Sequence, residues 1–224
     1  MKIFLGELYA ELSDKGLIKR VPHTHEFYFF NFNIRLSMVL PTLTYGPNSD
    51  NDYETTDLIA LRYLAIVNII TSLEGYYENI FTRLSSDILT SELNRSHLKI
   101  LRKNRFDLSE INKFESLFDY YKHESHRFTF QNKETIKSFS KLIGLDPMGN
   151  FHKEWEYTFG GIEDSTINIR HKFVHGGMPW DLSSNDENFI QERIKYALCL
   201  VHSMEEQIDP KYKLEALAKK DLIR

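Results

Sequence analysis

The run Arg170-His171-Lys172-Phe173-Val174-His175 carries the side chains best suited to chemistry in this sequence. An imidazole titrates near neutrality and so takes or gives a proton, while a guanidinium forks onto phosphate oxygens without ever losing its charge. Cleavage of a phosphodiester needs both abilities. Four residues separate Arg170 from His175, which on an undistorted helix sets the two about 140° apart, whereas His171 and His175 share one face. Arg170 and His175 therefore need not meet within one chain. Phe173 and Val174 are the apolar members that anchor this turn, and Gly176-Gly177 lets the backbone leave the helix directly after His175. That places His175 in a last helical turn, the end of the helix dipole that attracts cations. The purely structural reading of the same run has Arg170 buried against a carboxylate and His175 facing core.

Other constellations are less specific. The segment from Arg95 to Arg105 holds Arg95, Lys99, Arg102, Lys103 and Arg105 and no acidic residue, in a chain that is acidic overall. With Lys172, its Lys99, Arg102, Lys103 and Arg105 are the candidates for gripping a nucleic-acid backbone; the alternative is a solvated face that offsets nearby acids. Glu74 and Glu78 lie one turn apart and suit either a partner group or a salt bridge between helices. His171 and His175 at i, i+4 also have the spacing of helical zinc sites, but no glutamate follows His171 as in a zincin motif. The pairs His123/His126 and His23/His25 read as exposed loop residues, so no metal site is expected. No glycine-rich phosphate loop and no nucleophile elbow is present, and Cys199, between Leu198 and Leu200, reads as a small core residue. No cofactor is implied.

The elements that must position these residues are read from periodicity. A short helix is expected from Lys2 to about Asp14, stopped by Gly16. The aromatic stretch Glu26 to Leu36 alternates from Phe30 onward and reads as a strand, better suited to a core or a dimer surface than to base stacking. Pro41, Gly46 and Pro47 mark a polar connection. From about Thr56 to Leu89 apolar residues recur at three-to-four spacing, predicting a helix of about 50 Å with Gly75 as its weak point. A third helix is expected after a cap at Asp107 or Ser109, carrying Leu108, Ile111, Phe114, Leu117, Phe118 and Tyr121. Another runs from about Lys133 to Leu142 with Gly144 as its stop. After Gly160-Gly161, the capping residues Glu163 to Thr166 open the helix that carries Arg170 to His175. The last helix spans about Asn188 to Gln207 and is stopped by Pro210, leaving a charged tail.

The 224 residues suit a single domain with a terminal elaboration, and 42% hydrophobic content is enough for a sizeable core. With 32 acidic against 28 basic residues the net charge is −4, so no global positive field holds a nucleic acid and any contact must be local. The sequence start turns acidic at Glu7, too early for a signal peptide, and no apolar run approaches the roughly 20 residues of a membrane span. With a single cysteine, these features lead us to expect a cytoplasmic protein and no membrane partner.

The motif run resembles that of the HEPN superfamily, whose ribonucleases carry arginine, a polar residue, three mostly apolar or variable residues, then histidine. Arg170, His171, Lys172-Phe173-Val174 and His175 match it, Gly176 follows as is common there, and a terminal helix comes next. Ser72-Leu73-Glu74-Gly75-Tyr76-Tyr77 looks like the early helix of that family, which often presents a glutamate followed by aromatics. The resemblance spans residues 56 to 208 in organisation, and its specific part is the six-residue run. It implies an all-α, HEPN-like helical bundle over 53–210, a small N-terminal elaboration with a strand over 1–52, and a charged tail over 211–224. It also implies metal-independent RNA cleavage in which the 2′-hydroxyl attacks the adjacent phosphate, leaving a 2′,3′-cyclic phosphate and a 5′-hydroxyl. His175 would be the acid or base, Arg170 would stabilise charge on the phosphoryl oxygens, His171 would orient or assist them, and Glu74 would support the motif.

In the family two copies of the motif commonly face one another, so a homodimer is expected, acting on RNA such as tRNA or mRNA as a toxin or phage-defence effector. An antitoxin or regulatory protein would restrain it. Some HEPN toxins carry, two residues after the histidine, a tyrosine that a nucleotidyltransferase antitoxin modifies; Gly177 stands there, which puts that route in doubt. The alternatives are a noncatalytic HEPN-like module that dimerises and binds nucleotide or protein, and a plain helical scaffold.

Overall fold

The computed structural model describes residues 5–18, 27–37, 52–124, 129–176 and 187–221. In chain order the α-helices are α1 (Leu5–Asp14), α2 (Phe27–Ser37), α3 (Asp52–Ser86), α4 (Arg95–Lys103), α5 (Leu117–Glu124), α6 (Lys133–Leu142), α7 (His152–Phe159), α8 (Thr166–Gly176) and α9 (Glu187–Asp221). Short 3-10 turns lie at Thr90–Glu92 and Leu108–Lys113. Among the described residues there is no strand, and the chain is all-α as expected. The polar connection at Pro41 to Pro47 and the closing Gly177 and Pro179 lie outside the described residues.

Two compact units divide the chain. The first comprises 1–73 and 148–224, the second 74–147. The core of the first gathers Leu8 and Leu12 of α1, Phe32 and Leu36 of α2, Ile66, Ile69 and Ile70 of α3, Trp155 and Phe159 of α7, and the inner face of α9 from Ile190 to Met204. Helix α7 packs against both α8 and α9, and α1 lies against α9. Tyr9 donates from its hydroxyl to Asn33 Oδ1 at 3.0 Å, tying α1 to α2, and Lys195 meets Glu11 at 2.6 Å, tying α9 to α1. Cys199 is buried, as expected of a core thiol, and burial pushes its pKa up to about 12.

The second unit is built on aromatic rings. Phe81 and Phe139 stack at 4.7 Å, and Tyr121 stands edge-on to both, at 4.9 and 5.5 Å. Asn132 caps α6 by accepting from the backbone amides of Glu134 and Thr135, and Gly144, at φ 74, ends it where the sequence predicted.

Three expectations are corrected, and one is met. The stretch read as a strand is α2: Phe32 and Leu36, one turn apart, are 1% and 0% exposed, while Ile34 between them is 39% exposed. A strand would have put all three on one face. The expectation met is the long helix: α3 covers Asp52–Ser86 and continues through its weak point at Gly75. Glycine costs about 1 kcal/mol there, and the fully buried Leu73, Tyr76 and Tyr77 around it each gain about 1.5–3 kcal/mol. The single helix expected after Asp107 is split into the 3-10 turn Leu108–Lys113 and α5, because Phe114 is extended and the segment after it pairs with 88–90. Leu117 N donates to Ile88 O at 2.7 Å and Thr90 N to Glu115 O at 3.0 Å. Last, α9 does not stop at Pro210 but runs to Asp221. A proline removes one intrahelical donor at a cost of about 3 kcal/mol, yet Lys, Leu, Glu and Ala dominate the residues that follow and propagate a helix well.

Candidate active site on α8

Helix α8 presents the motif, and its first turn is fixed from several sides. Ser165 Oγ donates to Gly160 O at 2.9 Å, Asn168 Nδ2 to Ile162 O at 2.7 Å, and Thr166 Oγ1 to Tyr157 O at 3.1 Å. The Tyr157 carbonyl also accepts from Arg193 Nη1 of α9 at 3.1 Å, so one oxygen of α7 links the start of α8 to α9. Arg193 is buried, with its guanidinium 4.3 Å from the Phe189 ring centre and 5.1 and 5.6 Å from those of Tyr157 and Tyr196. Such cation–π contacts help to hold a buried guanidinium. Further along α8, Ile167 and Ile169 are buried, and Phe173 lies flat on Tyr63 of α3, ring centres 5.0 Å apart and planes within 4°.

With that face turned inward, helical periodicity turns the motif outward. His171, Lys172, Val174 and His175 are exposed. The His171 and His175 rings are stacked, centres 6.0 Å apart and planes 22° from parallel. Partial burial pushes the His171 imidazole below its ordinary value, and the positive charges of Arg170 and His175 push in the same direction. Arg170 occupies the flank between the inward and outward faces. It is half-buried, its Nε is out of solvent, and among the described residues that Nε has no acceptor and the guanidinium no ion pair. A buried donor left unmet costs about 1–3 kcal/mol.

The structural reading of the motif required Arg170 against a carboxylate and His175 in the core, and neither arrangement is present among the described residues. No third histidine, cysteine or carboxylate there joins the imidazole pair in a group that could hold a metal ion.

The remaining predicted site residues have other engagements. Lys172 Nζ pairs with Glu163 at 2.8 Å, and this lysine holds the Glu163 carboxyl below its usual range. Glu74 accepts from Thr129 Oγ1 at 2.8 Å and Gln131 Nε2 at 2.5 Å within the second unit. Burial, and after it the charge of Glu74, pushes the Glu78 carboxyl up. Lys99, Arg102 and Lys103 lie exposed on α4 and Arg105 just beyond it, also in the second unit. The reading of the sequence missed Tyr63 and Arg193. Tyr63 lies three residues before Ile66 and seven before Ile70, within the buried helical repeat of α3, and Arg193 falls on the inward face of an otherwise apolar helix, so both signals were open to notice.

Comparison with family models, with curated proteins and with solved structures finds no match to this chain. The chain is thus an all-α protein with an exposed imidazole pair flanked by an arginine that no carboxylate neutralises among the described residues. No helix among the described residues is long and apolar enough to cross a membrane.

Proposed function

We propose that this chain is a metal-independent endoribonuclease of the HEPN type, with Arg170, His171 and His175 as its working residues. One observation carries the reading: two imidazoles stack 6.0 Å apart on an exposed helix face, beside a guanidinium with no ion pair among the described residues. His171, held below the ordinary imidazole value, is the neutral ring that takes the proton from the ribose 2′-hydroxyl. The 2′-oxygen then attacks phosphorus, the bond to the 5′-oxygen breaks, and His175 gives that leaving oxygen its proton. The products are a 2′,3′-cyclic phosphate and a 5′-hydroxyl. Arg170 stabilises the negative charge that builds on the phosphoryl oxygens.

Pairing of two chains belongs to the same proposal. Val174 and Leu64 are 48% and 46% exposed, and each is next in sequence to a member of the Phe173–Tyr63 stack, which favours an apolar contact at this end of α8. The same exposed residues favour a second reading, a noncatalytic dimeric module. Incubation of wild type, Arg170→Ala and His175→Ala with total RNA and tRNA in EDTA separates the two. Cleavage by wild type that both variants lose supports the nuclease. A stable wild-type dimer that cuts nothing favours the module, and equal cleavage by all three removes the proposed chemistry.

A further inference from the structure

We infer that the exposed cationic face of α4, continued by Arg105, is a docking surface for an RNA phosphate backbone. The choice of RNA as occupant rests on the nuclease reading above; the surface itself rests on separate observations. Arg95, Lys99, Arg102 and Lys103 follow one another at four, three and one residues, so they fall within an arc of about 100° and along about 12 Å of the helix. Leu101, on the opposite side, is fully buried. Asn94 fixes the start of the helix by accepting from the backbone amides of Ser96 and His97 at 2.9 and 3.1 Å. Among the described residues Arg95, Lys99, Arg102 and Arg105 have no ion pair, and Lys103 has only Glu134, 3.9 Å away with both side chains exposed. A patch of five nearly uncompensated cations on a chain of net charge −4 is a local positive field, not a share of a general one.

Arg105 adds a second, independent observation. Directly after the cap residue Asn104 the backbone takes φ 64, and Arg105 is the one residue other than glycine in the left-handed region among the described residues. Glycine is the favoured residue at such a helix end, and an arginine there is strained. Residues held in such conformations cluster at functional sites.

The chemistry of the face favours nucleic acid over protein. Three of its five cations are arginines, whose forks match phosphate oxygens, and it carries no exposed aromatic or aliphatic centre of the kind on which protein interfaces are built. With no aromatic to stack on a base, recognition is of backbone and independent of sequence.

Binding of a single-stranded RNA with all 2′-hydroxyls methylated, which cannot be cleaved by 2′-attack, tests this without recourse to activity. The full chain is titrated across salt concentrations as wild type, as Arg95→Gln/Lys99→Gln/Arg102→Gln/Lys103→Gln, and as Arg105→Gly. The fourfold variant, whose glutamines keep helix propensity, is expected to bind much more weakly, with the slope of log affinity on log salt shallower by about 3, near 0.7 for each phosphate no longer neutralised. Arg105→Gly is expected to raise the melting temperature while weakening binding several-fold, a pair of opposite effects that a merely structural residue does not give. Should wild type bind this RNA and cut no natural RNA, the nuclease falls and the docking surface stands. Affinity and slope unchanged in the fourfold variant, no binding by wild type, or tighter binding of polyglutamate than of RNA would each overturn the inference.

Discussion

The rings of Tyr63 and Phe173 lie face to face, 5.0 Å between centres and 4° between planes, and so join the long helix α3 to the helix that carries the motif. Phe173 is two residues from both His171 and His175, and the stack holds the inward side of the turn whose outward side bears both imidazoles. Replacing Phe173 by alanine should lower unfolding stability by about 1–3 kcal/mol, given a half-buried aromatic and one ring pair. Urea denaturation reads this, and Phe173→Leu, which keeps apolar volume, should recover about half. Equal stability of all three proteins would mean that the stack does not hold α8.

Titration of His171 separates the charge of Arg170 from burial. Arg170 is the second of the influences that depress this imidazole, after burial itself. In Arg170→Gln the His171 resonances followed by NMR should therefore titrate at a higher pH than in wild type, while remaining below the ordinary value because burial persists. An unchanged or lower titration point would show that the two side chains are not near enough to act on one another.

Acid stability should depend on His202. This imidazole of α9 is 2% exposed, its Nδ1 has no partner among the described residues, and burial depresses it more than Glu206, 3.2 Å from Nε2, raises it. A depressed folded value means that, as pH falls through the ordinary 6.5, the unfolded chain takes up the proton first. Stability is then complete above that pH, declines below it, and levels off beneath the folded-state value. His171 contributes with the same sign, so the comparison is His202→Gln against His171→Gln, with melting temperature measured from pH 7.5 down to about 5. The curve of His202→Gln should be flatter than wild type; one as steep as wild type would contradict the assignment.

Arg193 is the fixed point behind α8. It donates to the Tyr157 carbonyl that Thr166 also uses, and three aromatic rings surround its guanidinium. Arg193→Met keeps the length but removes one hydrogen bond and the cation–π attraction, for an expected loss of about 2–3 kcal/mol. Calorimetry measures it, and a change under about 0.5 kcal/mol, the usual range for surface substitutions, would remove this role.

Much of the helical architecture was legible because burial and periodicity agree. In α6 the buried Ile136, Phe139 and Leu142 fall at regular helical intervals, and the glycine that ends it is in its expected place. In α2 two periods coincide: Phe32, Ile34 and Leu36 alternate as in a strand, but Phe32 and Leu36 are also one helical turn apart, and only burial shows which period governs. Two short helices, α4 and α7, escaped attention because their apolar faces are narrow, Leu101 in one and Trp155 with Phe159 in the other. The break at Phe114 depends on pairing with 88–90, which local sequence does not encode. At the site, the stacking of His171 on His175 follows from helical spacing alone. The unmet Nε of Arg170 and the ring of Tyr63 under Phe173 depend on residues distant in sequence, and no local pattern announces them.

The chemistry at the end of a cut strand separates 2′-hydroxyl attack from every other route of cleavage. A defined oligoribonucleotide is incubated with wild type in EDTA and its fragments are weighed by mass spectrometry, beside the same strand methylated at every 2′-oxygen. Fragments ending in 2′,3′-cyclic phosphate and beginning with 5′-hydroxyl are expected, together with an intact methylated strand. Fragments with 5′-phosphate and 3′-hydroxyl ends, cleavage of the methylated strand, or no fragments at all would contradict the proposed chemistry.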